Sequence, residues 1–129
     1  MGEREVVFVA GMRTAFGRMG GALRDFRAEE LGGIGIKGLI EKTKIHEKAH
    51  VDCVFLGSAT HCSRALNPAR WALIYSGLPH STSASYIEMQ CGSAIDSINH
   101  AAWKILANQA DIIIAGGMES YSQMPAKFS

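Results

Sequence analysis

The chain reads as an α/β fold in the order β-α-β-α-β-α-β, and three features of its sequence predict it. Short apolar runs recur at residues 6–9, 51–57, 84–89 and 111–115. Between the later runs lie longer stretches whose apolar residues are spaced three and four apart, the period of a helix with one buried side. Glycine, proline and asparagine stand where one pattern changes to the other. Strands alternating with helices imply a mostly parallel sheet joined by right-handed crossovers, with chemistry at the carboxyl ends of the strands.

The elements follow in order. Val6-Val7-Phe8-Val9 is compact and β-branched, as a buried strand requires. Residues 13–24 carry Gly17, Gly20 and Gly21 and read as a loop. Residues 28–44 have a helical period through Leu31, Ile34 and Leu39, interrupted by Gly32, Gly33, Gly35 and Gly38. Each such glycine costs roughly 1 kcal/mol relative to alanine, so this helix depends on packing and on close approach by a neighbour. Residues 51–57 form the second strand, and 58–66 a polar loop. Asn67-Pro68 is a helix start, because asparagine caps free N–H groups and proline suits the first helical position. That helix passes Trp71, Leu73 and Ile74 and stops near Gly77, with Pro79 beyond. Residues 84–89 are the third strand. Residues 93–108 form the clearest helix, with Ile95, Ile98, Ala102 and Ile105 on one side. Residues 111–115 are the fourth strand, ending in Gly116-Gly117.

Composition narrows the function. The 129 residues are 47% hydrophobic, enough for one modest domain spanning 1–129 with a core of its own. Thirteen basic and twelve acidic side chains leave a net charge of +1 and no basic block, which argues against a nucleic-acid or membrane-surface partner. Cys53, Cys62 and Cys91 are odd in number and form no CxxC pair, which fits free thiols in a reducing, cytoplasmic setting. The apolar run at 6–10 is too short for a signal-peptide core or a membrane span.

Cys91 is the candidate catalytic residue. It lies where the third strand passes into the best helix, in Gln90-Cys91-Gly92-Ser93-Ala94. A helix N-terminus presents unpaired N–H groups and a positive dipole end, which favour the thiolate, the nucleophilic form. That placement suits covalent acyl transfer, although a small buried core residue is the bland alternative. Gly116-Gly117 falls at another strand end and would meet Cys91 in space. A second pattern, His46-Glu47-Lys48-Ala49-His50, has the H-E-x-x-H spacing of zinc metalloproteases. Its surroundings are charged on most sides and supply no third ligand, so a solvated helix end is the plainer reading, with zinc binding by His46 and His50 as a remote alternative. Cys53 reads as core and Cys62 as a loop residue without evident partners. His61, His80 and His100 have no catalytic spacing, and His100 reads as a hydrogen-bonded packing residue. Glu119 reads as a loop anchor rather than a base, and Trp71 and Trp103 as packing residues.

Four stretches together resemble the thiolases, the acyl-CoA C-acetyltransferase family. Residues 7–17 resemble the family's opening strand and its Arg-Thr loop, here Arg13-Thr14. Asn67-Pro68-Ala69-Arg70 resembles a helix start, Cys91-Gly92-Ser93 the nucleophile turn, and residues 115–125 the glycine-rich loop near it. The resemblance implies that Cys91 takes an acyl group from acyl-CoA as a thioester. A second acetyl-CoA carbanion then attacks that thioester, or CoA cleaves a 3-ketoacyl-CoA in the reverse direction. It also implies that the Cys91 N–H helps hold the tetrahedral oxyanion, that CoA thioesters are substrates with no separate cofactor, and that no metal takes part.

Thiolases are longer chains, and their activating histidine, water-positioning asparagine and second cysteine lie in the C-terminal half, as does none of this sequence. The loop domain that holds most of CoA is likewise absent from it. Within the match, Glu88 stands where asparagine is usual, and Ala94 where glycine is usual. The run His61-Cys62-Ser63-Arg64-Ala65-Leu66 replaces a glycine-rich loop. An ionised Glu88 beside a thiol would raise its pKa. The resemblance therefore implies the first part of a thiolase N-terminal domain, inactive in isolation and completed by further chain or by a second polypeptide carrying the C-terminal half, with a homo-oligomer as the other assembly. The competing expectation is a non-catalytic subunit that completes a thiolase-like partner.

Overall fold

A computed structural model describes residues 3–61 and 63–126. Cys62, read above as a loop residue, lies outside the described residues. The elements are α1 (Ala28–Thr43), α2 (Ile45–Lys48), β1 (Cys53–Gly57), α3 (Pro68–Ser76), β2 (Ser83–Ile87), α4 (Ser93–Leu106) and β3 (Ile113–Gly117), followed by a 3₁₀ turn at Tyr121–Gln123. Both strand pairings are parallel, in the order β2-β1-β3, with Gly57 at the carboxyl end of β1 level with Ile87 and Gly117.

The central position of β1 explains its unbroken apolar sequence, since every one of its residues is buried. Its side chains alternate between two cores. Val54 and Leu56 join Ile36 and Ile40 of α1 and Ala69, Ala72 and Leu73 of α3. Cys53 and Phe55 join Ala101 of α4, with Ile87, Ile113 and Ala115 packed around them. α3 carries the chain one way, from β1 to β2, and α4 carries it back past β1 to β3. Two crossovers of one hand that step in opposite directions must lie on opposite faces, as these two helices do.

Local chemistry sets the element ends. The Asn67 side chain accepts the Arg70 N–H at 3.0 Å and donates to the Ala84 carbonyl at 3.1 Å, joining the start of α3 to β2. Pro68 opens that helix and Gly77, at φ 83°, closes it in the left-handed conformation that glycine adopts without penalty. At α1 the Glu30 carboxylate accepts the Arg27 N–H at 2.8 Å, which holds its pKa below the usual carboxylate range. The glycines of α1 serve the approach foreseen from sequence: a β-carbon on Gly33 would lie 2.6 Å from Tyr75 Cβ of α3.

The first expected strand is a correction. Residues 6–9 are irregular, and Phe8 and Val9 are 83% and 84% exposed. Arg4 ties the segment to Asn108 and Asp111 beside the start of β3, but no ladder forms along that edge. An apolar β-branched run states only that a segment wants burial in a sheet; a strand also needs a partner for its backbone, and the described residues pair three strands, not four. Among the described residues no helix is long and apolar enough to cross a membrane.

Candidate active site

The carboxyl ends of β1, β2 and β3 bring three loops together, with described residues 58–61 and 63–67, 88–92 and 118–126. Cys91 lies in the middle one and is exposed. It precedes Gly92, the residue that caps α4, so the thiol stands just outside the first helical turn rather than within it. Gln90 before it is left-handed at φ 48°, a conformation that costs a non-glycine residue of order 1–3 kcal/mol and persists only where the surroundings enforce it.

Ser93 supplies much of that enforcement. Its hydroxyl accepts the Met89 N–H at 2.8 Å and has the Gln90 carbonyl at 2.6 Å and the Ser58 carbonyl at 3.3 Å as acceptors for its proton. The Gly92 N–H donates to the Met89 carbonyl at 3.0 Å and the Ser93 N–H to the Gln90 carbonyl at 3.2 Å. Those donors close the turn on itself.

Glycines let the turn sit low on the sheet. A β-carbon on Gly57 would meet the Ser93 carbonyl oxygen at 2.4 Å, and one on Gly117 would meet Ala94 Cβ at 2.7 Å. The methyl group of Ala94 is thus accommodated by a bare backbone opposite. The contact expected from strand order between Cys91 and Gly116-Gly117 falls instead between Gly117 and Ala94, three residues on in α4.

Glu119, after β3, is the loop anchor expected from sequence. Its Oε1 accepts the Ser58 hydroxyl at 2.8 Å and the Thr60 hydroxyl at 2.6 Å, and its Oε2 the Ala59 N–H at 2.7 Å. The 120–123 segment also holds the glycine-rich loop near residue 20: the Gly20 N–H donates to Ser122 Oγ at 2.9 Å, and the Ser120 hydroxyl to the Phe26 carbonyl at 2.6 Å.

The other sequence candidates lie apart. α2 ends at Lys48 and Ala49 is extended, so His46 and His50 are not one turn apart on a helix. They line a cavity of about 230 Å³ with Val51, Leu78 and Pro79, close to the amino end of β1. Among the described residues no three metal-binding side chains come together. His61, left-handed at φ 47°, sets its ring edge against Tyr86 at 5.2 Å. His100 Nδ1 lies 2.9 Å from the Asp96 carbonyl oxygen, the hydrogen bond expected, but the residue is exposed, with its ring beside Phe55 and Trp103 rather than packed in the core. Cys53 is buried, and loss of water pushes its thiol pKa up, with Lys104 opposing. Sequence reasoning missed Ser93, Gln90 and Gly57 as shapers of the turn. A glycine ending an otherwise apolar strand was the available signal for the last.

A parallel α/β sheet with helices on both faces, gathering an exposed cysteine turn and a glycine loop at its carboxyl ends, defines the class as a doubly wound domain. Comparison with known proteins gives the family. The profile described as "Thiolase, N-terminal domain" matches residues 6–129. The chain is 46% identical over 121 residues to an acetyl-CoA acetyltransferase of Chromobacterium violaceum, covering 94% of this chain and 31% of that protein. It is 42% identical over 122 residues to a probable acetyl-CoA acetyltransferase of Escherichia coli, and 39% identical over 123 residues to a 3-oxoadipyl-CoA/3-oxo-5,6-dehydrosuberyl-CoA thiolase of the same organism. In both cases 95% of this chain and 31% of the relative are covered. The chain belongs to the thiolase family and spans about 31% of the length of these relatives.

Proposed function

We propose that this chain is the nucleophile-bearing part of a thiolase-type acyltransferase. The Cys91 thiolate attacks the carbonyl carbon of an acyl-CoA. A C–S bond to Cys91 forms, the C–S bond to CoA breaks, and CoA leaves as its thiol after taking up a proton. The acyl-enzyme then serves either condensation with a second acetyl-CoA carbanion or, in reverse, thiolytic cleavage of a 3-ketoacyl-CoA. The Cys91 N–H is assigned as one donor to the tetrahedral oxyanion.

The observation that carries this reading is the exposed Cys91 held on a constrained turn at the start of α4 in a chain of this family. The curated relatives are named acetyl-CoA acetyltransferase and 3-oxoadipyl-CoA/3-oxo-5,6-dehydrosuberyl-CoA thiolase, which supports CoA thioesters as the substrates here. The histidine and second cysteine that complete the reaction come from further chain or from a second polypeptide. Free thiols at Cys53 and Cys91 fit a cytoplasmic location.

The test is peptide mapping after incubation with acetyl-CoA, in the presence of whatever completes the protein. The expected result is one acetyl group on the Cys91 peptide, lost in Cys91→Ser. The chain by itself is expected to give no acetoacetyl-CoA thiolysis. No acetylation at Cys91 in the completed protein would return the chain to a non-catalytic subunit role.

A further inference from the structure

We infer that Glu119 is a positioning residue for Cys91, acting through Ser58 and Ser93. The inference rests on the reading of Cys91 as the nucleophile.

Glu119 lies beyond the end of β3, yet its carboxylate is bonded to the loop beyond β1. It accepts from two hydroxyls and one backbone N–H across three consecutive residues, Ser58, Ala59 and Thr60. Charge-assisted bonds of 2.6 to 2.8 Å fix both the path of that loop and its side chains. The carbonyl of Ser58 is thereby aimed at β2 and α4. It accepts from the Tyr86 hydroxyl at 3.1 Å and lies 3.3 Å from the Ser93 hydroxyl.

Ser93 passes the constraint on. Its oxygen accepts from Met89, its one proton points to the Gln90 carbonyl at 2.6 Å, and the Ser58 carbonyl at 3.3 Å is the weaker acceptor sharing that proton, so the cysteine turn meets the Glu119 loop at this side chain. Between those ends Gln90 holds its left-handed conformation. A conformation of that cost needs several independent restraints. Glu119 provides one from outside the turn, and the sheet backbone at Gly57 provides another from below. The carboxylate thus ties all three loops of the rim into one body and sets the direction in which Cys91 points. The geometry of its two oxygens makes the role graded. In Glu119→Gln the amide oxygen still accepts the Ser58 and Thr60 hydroxyls, while the NH₂ group opposes the Ala59 N–H.

The experiment combines hydrogen–deuterium exchange with the pH profile of iodoacetamide alkylation at Cys91, both read by peptide mapping of the purified protein. Glu119→Ala is expected to raise exchange in the 86–93 peptide about tenfold and to leave the α1 and α3 peptides unchanged. The Cys91 alkylation profile is expected to shift with it. Glu119→Gln and Thr60→Val should fall between Glu119→Ala and the parent. Ile36→Val, a core variant on α1, should lower the melting temperature without either change. Exchange in 86–93 that matches the parent in a folded Glu119→Ala protein overturns the inference, as does an increase spread evenly over the chain. If Glu119→Ala does not fold, Glu119→Gln and Thr60→Val decide by the same comparison. A parent Cys91 that alkylates no faster than Cys53 would sink the nucleophile reading instead, and the exchange data would still decide whether Glu119 holds the turn.

Discussion

Gly57 and Ser93 are in backbone contact: a β-carbon on Gly57 would lie 2.4 Å from the Ser93 carbonyl oxygen and 2.7 Å from its Cβ. The first turn of α4 therefore rests on the carboxyl end of β1 with no side chain between them. This contact sets the height of Cys91 above the sheet, because the turn is bonded to itself through Ser93. Gly57→Ala must push the helix start away. The expected cost is about 1–3 kcal/mol, the usual range for overpacking, measured by thermal or urea unfolding. The folded variant should also show a changed alkylation rate at Cys91. A Gly57→Ala protein as stable as its parent would mean that the contact relaxes freely.

Gly33 and Gly35 provide a contrast within one helix. A β-carbon on Gly33 would meet Tyr75 Cβ at 2.6 Å and the Ala72 carbonyl oxygen at 3.0 Å, whereas one on Gly35 would meet nothing within 4 Å. Gly33→Ala is expected to destabilise by about 1–3 kcal/mol through the α1–α3 contact. Gly35→Ala is expected to stabilise by about 0.5–1 kcal/mol, since alanine holds a helix better than glycine. Opposite shifts in melting temperature check the pair. A destabilised Gly35→Ala would show that α1 has a further neighbour at that position.

These glycines also show how far the sequence could be read. The pattern of four glycines in a helical period signalled a close approach, but which of them make it depends on the tertiary packing: Gly32 and Gly33 face α3 and the core, and Gly35 does not. Asn67-Pro68 and Gly77 were legible because their chemistry is local: a cap, a fixed φ and a left-handed end. Residues 6–9 were misread as a strand because pairing is not a local property, and Phe8 and Val9 stand exposed with no ladder partner. At the rim, Cys91 was legible from the change of period at residue 91. The hold of Ser93 and Glu119 on its turn was not, because it runs through Ser58, far away in the chain. The H-E-x-x-H spacing failed for the opposite reason, since the helix it presumes ends at Lys48.

Asp52 gives the fold an acid limb. Its Oδ2 accepts the Asp111 N–H at 2.8 Å and the Ile112 N–H at 3.0 Å, stapling the start of β3 to the start of β1. The Ile112 N–H first, and then that of Asp111, hold its pKa below the ordinary aspartate value, with loss of water opposing. A depressed folded pKa contributes stability that is present above the unfolded value, about 3.9, and lost as pH falls through the folded one. Asp52→Asn should therefore lower the melting temperature at neutral pH and flatten its decline below about pH 4. Parallel melting curves for parent and variant across the acid range would contradict this.

Cys53 and Cys91 make a matched internal comparison. Cys53 is 2% exposed on the central strand, and burial raises its thiol pKa, with Lys104 the main opposing influence. Cys91 is exposed beside a helix start. Under native conditions iodoacetamide reaches Cys53 only when β1 opens, and a central strand opens with a free energy close to that of global unfolding. Peptide-mapped alkylation near neutral pH is expected to be at least about a hundredfold faster at Cys91. The buried thiol should also mark the alkaline side. A folded pKa above the unfolded one leaves stability intact below the unfolded value, about 8.5, and removes it as pH rises toward the folded value. Cys53→Ala should lessen that alkaline loss. Alkylation of Cys53 as fast as that of an exposed thiol, in a protein that still melts cooperatively, would mean that β1 is not the closed centre of the sheet. The turn at Cys91 would then have lost the floor on which its geometry depends.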